Sequence, residues 1–187
     1  MGDSTAMTFT QEVAATPTAV YYALTNGAAM REWLSNNSQV STRVGGRIYL
    51  YWQQGYYASG EFKELVPDEQ VVYSWQGKGE TAVSTVTINL SPTDSGTQVE
   101  LIHSDLPAGE EAAELRQSLK DGWEAGLANL KSVLETGLDK RVYDQPFLGI
   151  LIGQQLTAEQ MAERGLEAPG GISITGTMAN TGAAAAG

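Results

Sequence analysis

Residues 101–137 constrain the fold of this 187-residue chain more than any other stretch. A strand-like run ends at His103, passes through Asp105-Leu106-Pro107 and enters one long amphipathic helix over residues 109–135. Leu115, Leu119, Trp123, Leu127, Leu130 and Leu134 recur every three or four positions, the spacing of a single helix face. At ~1.5 Å per residue this helix would be ~40 Å long, more than a small domain needs to close a core. It is therefore expected to lie across a sheet and to frame a cavity. Glu110, Glu111 and Glu114 suit the positive end of its dipole, and Thr136-Gly137 ends it. Gly122 and Gly126 each cost ~1 kcal/mol in a helix interior. Either the helix approaches the sheet closely there, or the glycines leave room for a guest molecule.

The sheet can be read from alternation. Residues 7–13 alternate as a strand, after which Thr16-Pro17 supplies an N-cap and a first-turn proline for a short helix through Leu24. Asn26-Gly27 reads as its stop, and residues 28–34 form a second short helix carrying Met30, Trp33 and Leu34. Strands are expected over 47–53, 57–66, 70–76, 82–90 and 97–104, separated by turn-like Gly, Pro, Asp and Ser clusters, so that neighbours pair as an antiparallel meander. Ile48, Leu50 and Trp52 share one face with Val71, Tyr73 and Trp75, with Val86, Ile88 and Leu90, and with Val99, Leu101 and His103. The opposite face, with Thr85, Thr87, Asn89, Gln98 and Glu100, is polar, so one side of the sheet is covered.

Composition removes several functions. The formal net charge of −11 is the wrong sign for holding nucleic-acid phosphates. No cysteine occurs, which excludes disulfides, thiolate catalysis and Cys-ligated zinc, and the lone His103 leaves no His-rich metal site. No metal or tightly held cofactor is implied. No stretch of ~18 apolar residues and no signal-like amino terminus is found, so the expectation is a cytoplasmic protein without a membrane span. After Lys140 the sequence turns Gly- and Ala-rich, which divides the chain into residues 1–140 and a segment 141–187. The segment is expected to contain a strand over 147–152, a helix over 157–164 capped by Thr157, a strand over 171–177 and the start of a helix at Ala183.

Trp52, Tyr73, Trp75 and Trp123 converge between sheet and helix, where four large aromatics are hard to pack without a gap. Gly60, Gly122 and Gly126 would widen it. With Trp33, Phe62, His103 and Leu127 they make up the expected ligand-binding lining. Each aromatic taken singly is more simply a core side chain. His103 points inward with an ordinary pKa near 6.5 and could serve as a general base, yet a histidine satisfied by hydrogen bonds in a core is the commoner outcome. No second acid or base stands at a diagnostic spacing. Glu61 and Glu64 read as solvated. Tyr49, Tyr51, Tyr56 and Tyr57 read as an outer aromatic surface for a partner or a homodimer, or as ordinary cross-strand pairs.

The order of strand, two short helices, meander and long helix resembles the α+β helix-grip fold of START-like ligand-binding proteins. Within it the chain resembles the family of activator of 90-kDa heat-shock-protein ATPase homologues. The residues that carry this are Ala15-Thr16-Pro17 with Val20 and Trp33, Val44-Gly45-Gly46-Arg47-Ile48, Gly60-Glu61-Phe62-Lys63-Glu64, Val72-Tyr73-Ser74-Trp75, His103-Ser104-Asp105-Leu106-Pro107 and Gly122-Trp123. The resemblance spans residues 7–138 and implies a fold and a cavity, not a reaction. The segment after Arg141 resembles the first half of a PDZ domain of the bacterial protease-associated type, through Phe147-Leu148-Gly149-Ile150, Leu156-Thr157-Ala158-Glu159-Gln160 and Gly170-Gly171-Ile172-Ser173-Ile174-Thr175-Gly176. In that family Phe147, Leu148, Gly149 and Ile150 would match the loop that holds a peptide's terminal carboxylate. The chain departs from the pattern by stopping at Gly187.

The expected function is binding of a small apolar or amphipathic molecule between sheet and last helix, by a monomer or homodimer. One alternative is a cavity enzyme of cyclase or hydrolase type, with His103 as base and Tyr73 as hydroxyl donor. Another is a co-chaperone-type module that engages a protein or peptide partner through its outer surface.

Overall fold

The computed structural model describes residues 4–144 and 148–186, and the chain divides between Tyr143 and Asp144 into two compact units. In the first, β1 (Ser4–Val13) leads into α1 (Pro17–Thr25) and α2 (Gly27–Trp33). Then come β2 (Asn37–Val40), β3 (Arg47–Tyr51), β4 (Tyr57–Val66), β5 (Gln70–Gly77), β6 (Ser84–Thr93) and β7 (Gly96–Pro107). A 3-10 turn at Glu110–Ala112 opens the long helix α3 (Ala113–Thr136), which is followed by α4 (Lys140–Tyr143). The sheet is antiparallel in the order β1-β7-β6-β5-β4-β3-β2. This is the helix-grip architecture expected from the sequence.

The alternation places the side chains as read. Val71, Tyr73, Trp75, Val86, Ile88, Leu90, Val99, Leu101 and His103 are all buried, and Leu119, Trp123, Leu127 and Leu130 of α3 share their core. Helix α3 is 24 residues long and stops where Gly137 takes the left-handed conformation at φ 75°, its N–H bonding to Val133 O. As read from the sequence, the chain makes a corner of two short helices with Asn26 as the stop between them, and α2 begins one residue earlier than expected. The Asn26 backbone N–H bonds back to Tyr22 O, and its side-chain Oδ1 accepts from Ala28 and Ala29 at 2.9 and 3.2 Å, so α2 starts at once. The Trp33 indole fixes the corner by donating to Ala23 O at 2.9 Å.

Strand β2 has no counterpart in the sequence reading because Asn-Ser-Gln-Val shows no apolar alternation. It forms by pairing with β3 in register Asn37↔Tyr51 to Val40↔Ile48. Gly60 does not widen a cavity. A Cβ there would overlap the Ser74 carbonyl oxygen, so the glycine serves the close approach of β4 to β5 near the register shift between Phe62 and Glu64. Gly60→Ala is expected to lower stability by roughly 2–3 kcal/mol, read as a shift in the urea midpoint, because the neighbour that must move is backbone.

In the second unit β8 (Ile150–Thr157) and β9 (Gly170–Thr177) pair antiparallel. Helix α5 (Ala158–Ala162) lies between them, with a reciprocal Thr157/Gln160 capping box. Helix α6 (Gly182–Ala186) follows β9. Strand β8 begins three residues later than expected and runs through Gln154 and Gln155, since pairing with β9 across two register shifts, not apolar pattern, sets its extent. Leu151, Ile152, Ile172 and Ile174 are exposed.

Candidate functional site

A cleft of about 380 Å³ opens along one flank of α3. Its helix wall is Leu115, Ser118, Leu119, Gly122, Trp123, Ala125, Gly126 and Asn129, positions that recur on one side of the helix. Trp33 and Leu34 from the end of α2, Trp52, Gln54 and Tyr56 from the turn between β3 and β4, and Trp75 of β5 close it opposite, with Arg141 at the rim. Trp75 stands centrally, its ring centroid 5.4 Å from Trp123 and 6.2 Å from Trp52, while Trp52 lies 5.5 Å from Tyr56. Two glycines with the same propensity cost do different things. A Cβ at Gly122 would meet open space, whereas one at Gly126 would touch Leu34 and Trp33 at ordinary contact distance.

Four of the expected lining residues, Trp33, Trp52, Trp75 and Trp123, come together at this cleft. Phe62, Tyr73, His103 and Leu127 do not line it; all four are buried in the core. Phe62 and Tyr73 pack edge-on to one another, 6.1 Å apart, and His103 packs edge-on to Trp123 at 6.0 Å.

His103 is fully buried, with both ring nitrogens engaged. Trp123 Nε1 can only donate, so His103 Nδ1 accepts from it at 3.0 Å and the neutral imidazole carries its hydrogen on Nε2. That N–H donates to Ser84 Oγ at 2.8 Å, and the Ser84 hydroxyl donates to Trp75 O at 3.2 Å. Burial holds the imidazole pKa down to about 4, with the Asp105 charge opposing weakly. An imidazole with its acceptor nitrogen occupied and its charge disfavoured is a core histidine, not a base at the cleft. The Tyr73 hydroxyl, its pKa pushed up by burial, likewise does not line the cleft.

Apart from Tyr56, the polar groups of the cleft are ones the sequence did not single out. Asn129 is an amide amid leucines on the buried stripe, a signal that was present. Its Nδ2 donates to Trp33 O at 2.7 Å and to Asp139 Oδ1 at 2.9 Å, and its Oδ1 accepts from Lys140 N at 2.8 Å. Asp139 also accepts from the Arg141 guanidinium at 2.8 Å, which together with Asn129 holds its carboxyl below the usual range. Arg141 reaches Arg31 O on α2 as well, so residues 139–141 tie α3 to α2 at the end of the cleft. Tyr56, read as an outer residue, donates to Glu80 Oε1 at 2.9 Å; burial and then the Glu80 charge push its pKa well up.

In the second unit, Leu148 O accepts from Ala183 N at 3.0 Å and Gly149 O from Met178 N at 2.7 Å, Ile150 begins β8, and Phe147 lies outside the described residues. Among the described residues no cluster of His, Asp and Glu could hold a metal ion, and no helix is long and apolar enough to cross a membrane.

The family model described as Activator of Hsp90 ATPase homolog 1-like protein matches residues 14–135. Among solved structures, a protein from Mesorhizobium loti is similar at 21% identity, over 70% of this chain and 97% of that one, with a TM-score of 0.64. The Aha1 dimer from Colwellia psychrerythraea is similar at 23% identity, over 71% and 98%, with a TM-score of 0.62. DynU16, a protein of the dynemicin biosynthetic locus, is similar at 19% identity, over 72% of this chain and 48% of that one, with a TM-score of 0.64. No curated protein matches. The family match ends before the second unit, and nothing in these similarities supports a PDZ-like reading of it.

Proposed function

The chain belongs to the family of Activator of Hsp90 ATPase homolog 1-like proteins, and from that premise we propose that its first unit binds a small apolar or amphipathic molecule in the cleft beside α3. The observation that carries the reading is the convergence of Trp33, Trp52, Trp75 and Trp123 on a cleft whose volume falls within the ~300–1,000 Å³ usual for small-molecule sites. Indole faces favour flat or aliphatic guests, and Gln54, Tyr56, Ser118 and Arg141 offer polar contacts to an amphipathic one.

All four tryptophans of the chain line the cleft, so their emission reports directly on occupancy. The neutral probe N-phenyl-1-naphthylamine is expected to quench that emission. Gly122→Leu, whose side chain grows into open space and improves helix propensity by up to ~1 kcal/mol, should weaken the response at least about tenfold without lowering the melting midpoint. Equal binding by both proteins would remove the cleft as the site.

A second reading, a docking module of co-chaperone type, is favoured by the outer sheet face. There Tyr49 and Tyr57 stack at 5.9 Å, and the Arg47 guanidinium lies 5.1 Å from the Tyr49 ring centroid. Docking there would be indifferent to Gly122→Leu.

A further inference from the structure

His103 does not line the cleft, yet it packs against two of the indoles that do. Its ring centroid lies 5.8 Å from Trp75 and 6.0 Å from Trp123, edge-on to both, and those indoles are 5.4 Å apart, so the three rings form a nearly even triangle. Two corners of the triangle belong to the cleft wall and the third is fully buried. The buried corner is tied at both nitrogens, to Trp123 Nε1 at 3.0 Å and to Ser84 Oγ of β6 at 2.8 Å. On its own helix the Trp123 indole is less constrained. Two of its neighbours there, Gly122 and Gly126, carry no side chain to pack against it, and a Cβ at Gly122 would have nothing within 4 Å. A tryptophan in a helix has two χ1 wells open to it, the third clashing with the preceding turn. The bond to His103 favours the observed position over the other.

We infer that His103 is the positioning residue of the cleft: its imidazole holds the Trp123 indole against the core and so keeps open the space that a ligand would enter. This rests on the cleft being a ligand site and adds what holds the site open. With the acceptor in place, the indole N–H is satisfied in its buried position. Without the acceptor the donor would be orphaned there, and the better state is the indole turned toward the open space beside Gly122, where water can take its hydrogen. The turned ring would occupy the cleft itself. A ligand then competes with the protein's own side chain, and its apparent affinity falls in proportion to the fraction of molecules that remain open. His103 thus acts on binding without touching the ligand, through one hydrogen bond.

The test is titration of the full chain with N-phenyl-1-naphthylamine at neutral pH, read from the emission of the probe. His103→Leu, which removes the acceptor, is expected to weaken binding about 5- to 10-fold, as an orphaned donor requires. His103→Gln can still accept from Trp123 and donate to Ser84, and it should hold the affinity within about twofold. In a Trp123→Phe background there is no donor to satisfy, so His103→Leu should there change the affinity by less than about twofold. A purely structural role predicts instead that His103→Leu weakens binding alike in both backgrounds. Undiminished binding by His103→Leu, equal loss in His103→Gln, or an equal effect in the Trp123→Phe background overturns the assignment and leaves the cleft standing. Failure of the probe to bind the unsubstituted protein overturns the assignment together with the cleft. Should His103→Leu not fold, the unsubstituted protein decides. Exchange of the Trp123 indole hydrogen with solvent, followed in nitrogen–proton spectra, should slow at least about fivefold when the probe saturates the cleft and blocks the turn of the ring. An exchange rate that bound probe leaves unchanged overturns the proposal.

Discussion

Trp123→Ala is expected to cost about 3–5 kcal/mol of stability, a large part of the ~5–15 kcal/mol that holds a domain of this size together. The residue joins the core to the cleft. One edge of its ring packs on Trp75 and His103, with centroids 5.4 and 6.0 Å away, and its N–H is the donor that fixes the histidine tautomer. Truncation removes the ring and orphans His103 Nδ1 in one step. Trp123→Phe separates these effects. It keeps most of the apolar volume but deletes the donor, leaving a buried acceptor unpaired at roughly 1–3 kcal/mol. Because the Trp123 hydrogen bond favours neutral imidazole, the same change should raise the pKa of His103. Denaturant unfolding of the two variants together with an imidazole titration by proton resonance decides this. A phenylalanine variant as stable as the unsubstituted chain would show that the hydrogen bond contributes nothing.

The fold was legible because its physics is periodic. Val86, Ile88 and Val99 alternate with polar neighbours, and Leu119, Trp123 and Leu130 recur at helical spacing, so both faces that meet in the core were written into the chain. What escaped lacked a period. Strand β2 is held by its pairing with β3, and the Asn129–Asp139–Arg141 tie joins side chains that no local pattern relates. The cleft was legible in its indoles but not in its position. Alternation shows that Tyr73, Trp75 and His103 point inward, and helical spacing shows the same for Trp123; neither shows which inward side chains meet one another and which meet a void. That depends on where α3 crosses the sheet, and the difference between Gly122 over open space and Gly126 against Leu34 is invisible to helix propensity.

His103 should make the protein acid-sensitive between pH 6.5 and 4. Unfolded, it would titrate near 6.5; folded, burial holds it near 4. Above pH 6.5 neither state is protonated and the stabilising effect is fully present. As the pH falls from 6.5 to 4 the unfolded chain takes a proton that the folded chain refuses, so stability declines by up to ~1.4 kcal/mol per pH unit and by roughly 3 kcal/mol in all. The carboxylates of Glu12, Glu135 and Asp139 have lowered pKa values, and their contributions are lost only as the pH falls below ordinary carboxylate values. Since the chain has one histidine, the decline between pH 6.5 and 5, about 2 kcal/mol, belongs to His103. His103→Gln can still accept from Trp123 and donate to Ser84, and it should flatten that part of the profile whatever its stability at neutral pH. Urea midpoints at half-unit pH steps measure both. An unsubstituted protein with a level profile from 6.5 to 5 would mean that the folded state admits the proton, and hence that the Trp123–His103–Ser84 chain opens to water.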